Sequence, residues 1–275
     1  MGLSIAMKIN FPLLALAVGA FAIGTTEFSP MGFLPEIAND LSVSIPQAGL
    51  LISAYAVGVM IGAPLMTLWL ARFPKKTALI LLMAIFTIGN VLATVAPDYM
   101  SLMGARLITS LNHGAFFGLG SVVAASVVPK DKQASAVAMM FMGLTIANIG
   151  GVPLATWLSQ NTSWRMAFAA ISILGIMTML ALWKALPQDH DVVKPNVAKE
   201  LRVLTRAPVV LALLTTVMSA GAMFALYTYI APSLHVFMQA SPQTITLMLV
   251  LIGIGFSIGN HLGGKFADLS LEKTL

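Results

Sequence analysis

Glu27, Arg106 and His113 each sit inside an apolar run long enough to cross a bilayer. A charge at that depth costs on the order of 2.5–3.5 kcal/mol even on lenient insertion scales, so side chains kept there usually move protons or ions or hold a ligand. Glu27 lies about ten residues, or about 15 Å, from the outer end of its run, while Arg106 and His113 lie about 10 Å and about 20 Å from the outer end of theirs. Their depths bracket that of Glu27. Seven residues separate Arg106 from His113, two helical turns, so with Thr109 they form one polar stripe. Burial disfavours a charged carboxylate and a neighbouring guanidinium favours it, so a rearrangement that alters either would load or release a proton at Glu27. The static alternative is a Glu27–Arg106 ion pair that fixes helix packing. His113 leaves three roles open: ligand binding, proton relay, or a hydrogen bond to a backbone carbonyl. Asn112 and Asn148, with Asn90 and Asn260, can offer uncharged hydrogen bonds to a polar substrate or simply join helices at about 0.6 kcal/mol each. Phe116, Phe117, Phe141 and most of the methionines read as lipid-facing filler, with an adaptable apolar cavity as the alternative.

The elements that must position these groups are membrane helices. Hydrophobic residues make up 58% of the chain and charged residues 9%, with a mean hydropathy of +0.91, which a water-soluble core does not accommodate. Eight continuous apolar runs are expected to span, at about 11–37, 46–71, 77–96, 100–128, 134–158, 164–186, 209–234 and 243–266. Their continuity excludes the alternation of a β-barrel strand. Cysteine is absent, so neither disulfide nor thiol chemistry enters. The first run is too long for a signal peptide and contains Glu27. Gly2 begins a myristoylation-like start that fails at Ala6, and Met7-Lys8 gives a more ordinary opening, so residues 1–6 are expected to be an extension.

Positive charge fixes the orientation. Lys8, Arg72, Lys75, Lys76, Lys130, Lys132, Lys184, Lys194, Lys199, Arg202, Arg206, Lys265 and Lys273 fall on one side, predicted cytoplasmic together with both termini. The opposite loops carry Glu36, Asp40 and Asp98, with Arg165 as the exception and Trp164 beside it read as an interfacial anchor. The net charge of +5 is this topology signal rather than a nucleic-acid footprint.

The chain also repeats itself at an offset of 197 residues: Gly24, Pro35, Ser44, Gly58, Gly62 and Leu65 are answered by Gly221, Pro232, Ser241, Gly255, Gly259 and Leu262. Paired helical units in a membrane protein are the mark of a secondary transporter. The expected organisation is a six-helix bundle over 1–186, a charged cytoplasmic linker over 187–208, and a two-helix, incomplete second bundle over 209–275. Within the linker, 197–206 reads equally as an amphipathic surface helix or as solvated chain.

Six helices, a charged linker and a second unit with the same opening resemble the major facilitator superfamily. GTTEF at 24–28, NHGAFFG at 112–118, the run from Gly143 through Asn148, Gly150, Gly151 and Pro153, and Trp164-Arg165 are similar to its bacterial drug–proton antiporter branch, which includes arabinose-efflux-type proteins. The resemblance implies an all-α, proton-driven exporter in the bacterial inner membrane with two six-helix halves around a cavity. It further implies a coupling role for Arg106, a helix-bending signature at Gly143–Pro153, and a cytoplasmic gating loop at Arg72, Lys75 and Lys76. That loop has Thr67, Ala71 and Pro74 where the family carries Gly, Asp and Gly, whereas Gly264 and Asp268 keep the pattern in the second copy. The charge network is therefore expected to rest more on the C-terminal copy. Helices nine to twelve of a complete member are not matched. A homodimer or a separately made complementary half would supply the missing wall, and a non-transporting remnant is the alternative reading. The partners expected are a small-molecule substrate, protons and the lipid bilayer.

An intramembrane enzyme using Glu27 and His113 is the rival class, but no metal-ligand pair, nucleophile elbow or phosphate loop supports it, and no cofactor is expected. Gly253-x-Gly255-x-x-x-Gly259 mimics a dinucleotide fingerprint, yet within a membrane helix it reads, like Gly58-x-x-x-Gly62 and Gly114-x-x-x-Gly118, as a small-residue helix contact.

Overall fold

A computed structural model describes residues 10–188 and 206–269, the side chains of 260, 261 and 263–269 excepted. The expected start at Met7, the middle of the linker with Lys194, Lys199 and Arg202, and the surroundings of Gly264 and Asp268 lie outside the described residues. Among the described residues, eight helical spans are long and apolar enough to cross a membrane. In order, the helices are α1 (Phe11–Gly32), α2 (Leu34–Asp40), α3 (Ile45–Leu70), α4 (Lys75–Thr94), α5 (Tyr99–Ser110), α6 (His113–Ser126), α7 (Gln133–Ile146), α8 (Val152–Asn161), α9 (Trp164–Ala185), α10 (Ala207–Thr228), α11 (Ile230–Met238) and α12 (Pro242–Leu269). Their starts are chemically set. Asn10, Ser44 and Ser163 each accept a backbone N–H three residues on, and Asp98 forms a capping box with Ser101.

Four expected spans are not single helices, the seventh breaking at Tyr229 between α10 and α11. The first breaks at Phe33, after which α2 lies across the outer end. The fourth breaks at Leu111 and Asn112, between α5 and α6. The fifth contains a π turn, Ala147–Gly151, in which the Val152 N–H bonds back to the Ala147 carbonyl. Pro153 follows it and has no N–H to give, so the ordinary ladder fails just there.

Close helix approach explains most of the small residues. A Cβ on Gly58 would strike the Ser110 hydroxyl and one on Gly62 the Leu111 backbone, so α3 crosses span four at its break. Gly114 receives Ala63 in the same crossing, whereas Gly118, Gly255 and Gly259 face open space. The small-residue reading therefore holds at the first two motifs, failing at Gly118, and in the third only at Gly253, which touches the Asn148 carbonyl.

The main core gathers α1 and α4 to α9 around Leu16, Ile23, Phe86, Phe116 and Phe168. Phe116 is thus interior, not lipid-facing filler. A second cluster joins the outer ends of α1, α2 and α3 to α10, α11 and α12 through Phe28, Met31, Ile52, Tyr227, Ala231 and Leu249. Trp164 is also interior, only 2% exposed, and its indole N–H donates to Asp40 at 3.0 Å. Arg165 pairs with the same carboxylate and donates to the Ala96 carbonyl. The exception to the charge asymmetry is thereby a structural tie between α2 and α9, and the interfacial-anchor reading of Trp164 is corrected.

The repeat is preserved in three dimensions. Long helix, short helix and long helix recur as α1–α2–α3 and α10–α11–α12. Ser42 and Gln239, 197 residues apart, are the two non-glycine residues with positive φ among those described, at 54° and 49°. Ser44 and Ser241 each then accept the N–H three residues on.

Candidate functional site

The middle of α1 brings Thr26 and Glu27 against α3, α4 and span four. Glu27 Oε2 lies 3.9 Å from His113 Nε2, and both side chains are 15% exposed. The other imidazole nitrogen, Nδ1, is 3.1 Å from the Tyr55 hydroxyl. With the phenol donating there, the imidazole carries its proton on Nε2, facing the carboxyl group. Phe117 leans on His113 at 5.1 Å and stacks on Phe141 at 5.1 Å.

Arg106 is 1% exposed. Its guanidinium lies over the Tyr55 ring, 4.3 Å from the centroid, and donates to the Thr26 carbonyl at 2.9 Å. The Thr26 hydroxyl donates in turn to Asn90 Oδ1 at 2.6 Å, and the Asn90 amide to the Phe86 carbonyl at 2.9 Å. A planar cation stacked on an aromatic face is worth on the order of 2 kcal/mol once desolvated. Arg165 and Asp40 form an ion pair, while the neutral His113 imidazole is the neighbour of the Glu27 carboxyl group at 3.9 Å. The alternative of a static Glu27–Arg106 ion pair is not formed: the guanidinium is held by a neutral carbonyl and a ring, and the imidazole is the nearer neighbour of the carboxyl group.

Glu27 and Tyr55 open onto a cavity of about 330 Å³, with Ile52, Ala56 and Val59 on the same side and Ala220, Gly221 and Phe224 of α10 on the other. Phe224 is the repeat counterpart of Glu27, and Gly221 that of Gly24. Toward the outer end, Phe28 stacks on Phe224 at 5.5 Å.

The remaining expected residues are distributed elsewhere. The break at Leu111 and Asn112 interrupts the stripe: Thr109 turns to α4, pressing on Gly89 and donating to the Ala105 carbonyl at 2.8 Å. Asn112 is fully buried, donating to the Thr109 carbonyl, and does not line the cavity. Asn148 faces a second cavity, of about 510 Å³. In the helix-five signature, Gly143 meets the Ala17 carbonyl and Gly151 the Thr25 hydroxyl, Pro153 follows the π turn, and Gly150 faces open space. At the positive end, Arg72 stacks on Trp69 and Phe73, Lys76 donates to the Leu186 carbonyl at 2.8 Å, and Lys75 opens α4.

Two members of the network escaped sequence reasoning, Tyr55 and Thr26. A signal for Tyr55 was present: it precedes Gly58 and Gly62 at helical spacing, so it shares the face that meets span four. Thr26 acts through its carbonyl, which no side-chain pattern reveals.

The sequence profile of the Major Facilitator Superfamily matches residues 16–274. "Inner membrane transport protein YdhP" of Escherichia coli strain K12 is 67% identical over 269 residues, covering 98% of this chain and 69% of that protein. "Putative transporter AraJ" of the same strain is 36% identical over 255 residues, covering 93% and 65%. Among solved structures, a bacterial homologue of the human lysosomal transporter Spinster, inward-facing and unoccupied, superposes with a TM-score of 0.76 at 18% identity, over 95% of this chain and 63% of that one. That likeness is one of fold. The chain spans about two thirds of the length of these proteins. A match across nearly the whole sequence, on eight spans whose first and seventh open the same repeated unit, establishes that the chain belongs to the Major Facilitator Superfamily, as a multi-pass protein of the inner membrane.

Proposed function

We propose that the chain serves proton-coupled efflux of a small organic solute, with Glu27 as the proton-carrying group. The observation that carries this reading is the placement of the Glu27 carboxyl group on a cavity wall, 3.9 Å from an imidazole whose far nitrogen is fixed by Tyr55. Such a carboxyl group can be reached by a proton from the cavity, and its neighbour can pass one on. The guanidinium of Arg106, held by Thr26 and Tyr55 rather than by the carboxylate, sets a positive field that does not depend on whether Glu27 is charged.

With the positive end taken as cytoplasmic, Phe28, Tyr227 and Leu249 pack together toward the outer end, and the Glu27 cavity lies on their inner side. Rocking α10–α12 against the first bundle would part that cluster and present Glu27 to the proton-rich side. Membership of a transporter family and a relative named for inner-membrane transport support the coarse reading. The direction and the coupled ion rest on the cavity chemistry and on the resemblance of the motifs.

The test is proton release or uptake by reconstituted protein on adding lipophilic cations, sugars or nucleosides. A transient in the unaltered chain that Glu27→Gln abolishes is expected. A transient of equal size in Glu27→Gln would discard the role of Glu27, and silence in both proteins across the whole panel would favour a chain that does not transport.

A further inference from the structure

Pro30 lies inside α1, buried and near its outer end. A proline within a helix has no N–H to give, so the carbonyl four residues before it loses its helix donor, and the ring pushes that carbonyl aside. Four residues before Pro30 is Thr26. The Thr26 carbonyl is the group that accepts Arg106 Nη1 at 2.9 Å. Thr26 itself gives no side-chain signal of this; the proline that frees its carbonyl does.

The rest of Thr26 is held to the same end. Thr25 beside it spends its hydroxyl on the Phe21 carbonyl four residues back, at 2.8 Å, as helix threonines commonly do. Thr26 instead donates across the bundle to Asn90 of α4, so its side chain is drawn to α4 while its carbonyl is filled from α5. Arg106 has no other acceptor. Its Nε and Nη2 are buried without a partner among the described residues, and its hydrogen bonds are those of Nη1 to Thr26. A charge-assisted bond of this kind is stronger than a neutral one. The second copy lacks the arrangement: Tyr227 answers Pro30, Met223 answers Thr26, and α10 has its proline in the first turn.

We propose that Pro30 is a positioning residue for the proton site: by denying the Thr26 carbonyl its helix donor, it holds Arg106 on the backbone of α1 and off the carboxylate of the adjoining Glu27. With an N–H at position 30, the helix takes the carbonyl back. The guanidinium is then free to pair with Glu27, and a cation on a carboxylate favours its charged form. What the anchorage is for rests on the reading of Glu27 as the proton carrier; the anchorage itself is a hydrogen bond that can be tested apart from it.

The experiment adds and removes one N–H at position 30 of the full chain in lipid nanodiscs. Pro30→Ala supplies it; lactic acid in place of Pro30, introduced by suppressor translation, keeps the alanine side chain but has an ester oxygen where the N–H would be. Dicyclohexylcarbodiimide, which attacks protonated carboxyl groups in apolar surroundings, reports on Glu27 by mass spectrometry. Pro30→Ala is expected to slow labelling at pH 7 about tenfold, and the lactic acid protein is expected to label at the unaltered rate. With Arg106→Met added, the two position-30 proteins are expected to label alike. Melting temperature gives a readout that does not involve Glu27: Arg106→Met is expected to cost about 4 °C more in the unaltered chain than with Pro30→Ala, because only the former is left with an orphaned buried carbonyl. Equal labelling with and without the N–H, a slowing by lactic acid as large as that by alanine, or a slowing that survives Arg106→Met would each overturn the proposal. If Glu27 takes no label even in the unaltered chain, the proton assignment fails by itself, and the melting difference decides the anchorage.

Discussion

The two copies of the repeated unit share their turns and differ in what surrounds them. In α1 most residues from Leu13 to Gly32 are buried, whereas α10 buries only Tyr227 and Thr228. The local chemistry of the two is the same: a short crossing helix, a left-handed residue, a serine cap. What distinguishes them is that α1 lies against α6, α7, α8 and α9, while α10 contacts the rest mainly at its outer end. Backbone geometry is thus written into the unit itself, and burial is conferred by neighbours. Glu27 and Thr26 in the first copy correspond to Phe224 and Met223 in the second, so the ionisable group of this pair of positions belongs to the first copy.

The largest effect expected to sharpen this contrast comes from glycine. At Gly143 a Cβ would fall on the Ala17 carbonyl of the packed first copy, and at Gly255 it would meet nothing. Gly143→Ala is therefore expected to destabilise by about 2 kcal/mol, while Gly255→Ala is neutral or slightly stabilising, both read by thermal unfolding in detergent. Equal losses would mean that both copies are packed alike.

A smaller effect concerns pH. Asp40 is tied to α9, whereas its counterpart Phe237 is 84% exposed. The Asp40 carboxyl group is held below its ordinary range by the Arg165 hydrogen bond first, then, against opposing burial, by the Trp164 N–H and the Arg165 charge. Its contribution is therefore complete above the ordinary aspartate value of about 4 and is lost as pH falls through the lower folded value. A half-exposed pair of this kind contributes up to about 1 kcal/mol. Asp40→Asn is expected to lower the melting temperature at pH 7 and to flatten its fall below pH 4. An unchanged acid limb would show that the tie is idle.

The smallest effect is expected to be equal in both copies. Glycine in place of Ser42 or of Gln239 relieves a left-handed backbone, with a net gain of about 0.5 kcal/mol once the entropy of the unfolded chain is counted. Unequal gains would break the claim that these turns are set locally.

The eight spans, the repeat and the family were legible because hydropathy, charge asymmetry and glycine spacing are properties of linear sequence. The breaks were not. Phe33 and Leu111 are themselves apolar, so hydropathy runs through them, and only Pro153 hinted at the π turn before it. The three ionisable residues could be named, since charge in hydrocarbon is conspicuous, but their pairing could not. Depth along two helices says nothing of rotation about them, and rotation gives Arg106 to the Thr26 carbonyl and leaves His113 beside Glu27. The second cavity was hidden for another reason: it forms where α10 and α12 meet α1, α7 and the π turn, and a linear pattern does not record which helices meet.

Because Arg106 is secured by a neutral carbonyl and a ring, it keeps its charge whichever form Glu27 takes. With the imidazole neutral, the pocket sums to zero when Glu27 is ionised and to +1 when it is protonated. On the proposed cycle, the proton-loaded pocket is therefore the one that feels the voltage across the membrane. One elementary charge carried through the full field is worth about 2.3 kcal/mol per 100 mV. Transport of a neutral solute would then be electrogenic, drawing on the membrane potential as well as on the pH gradient.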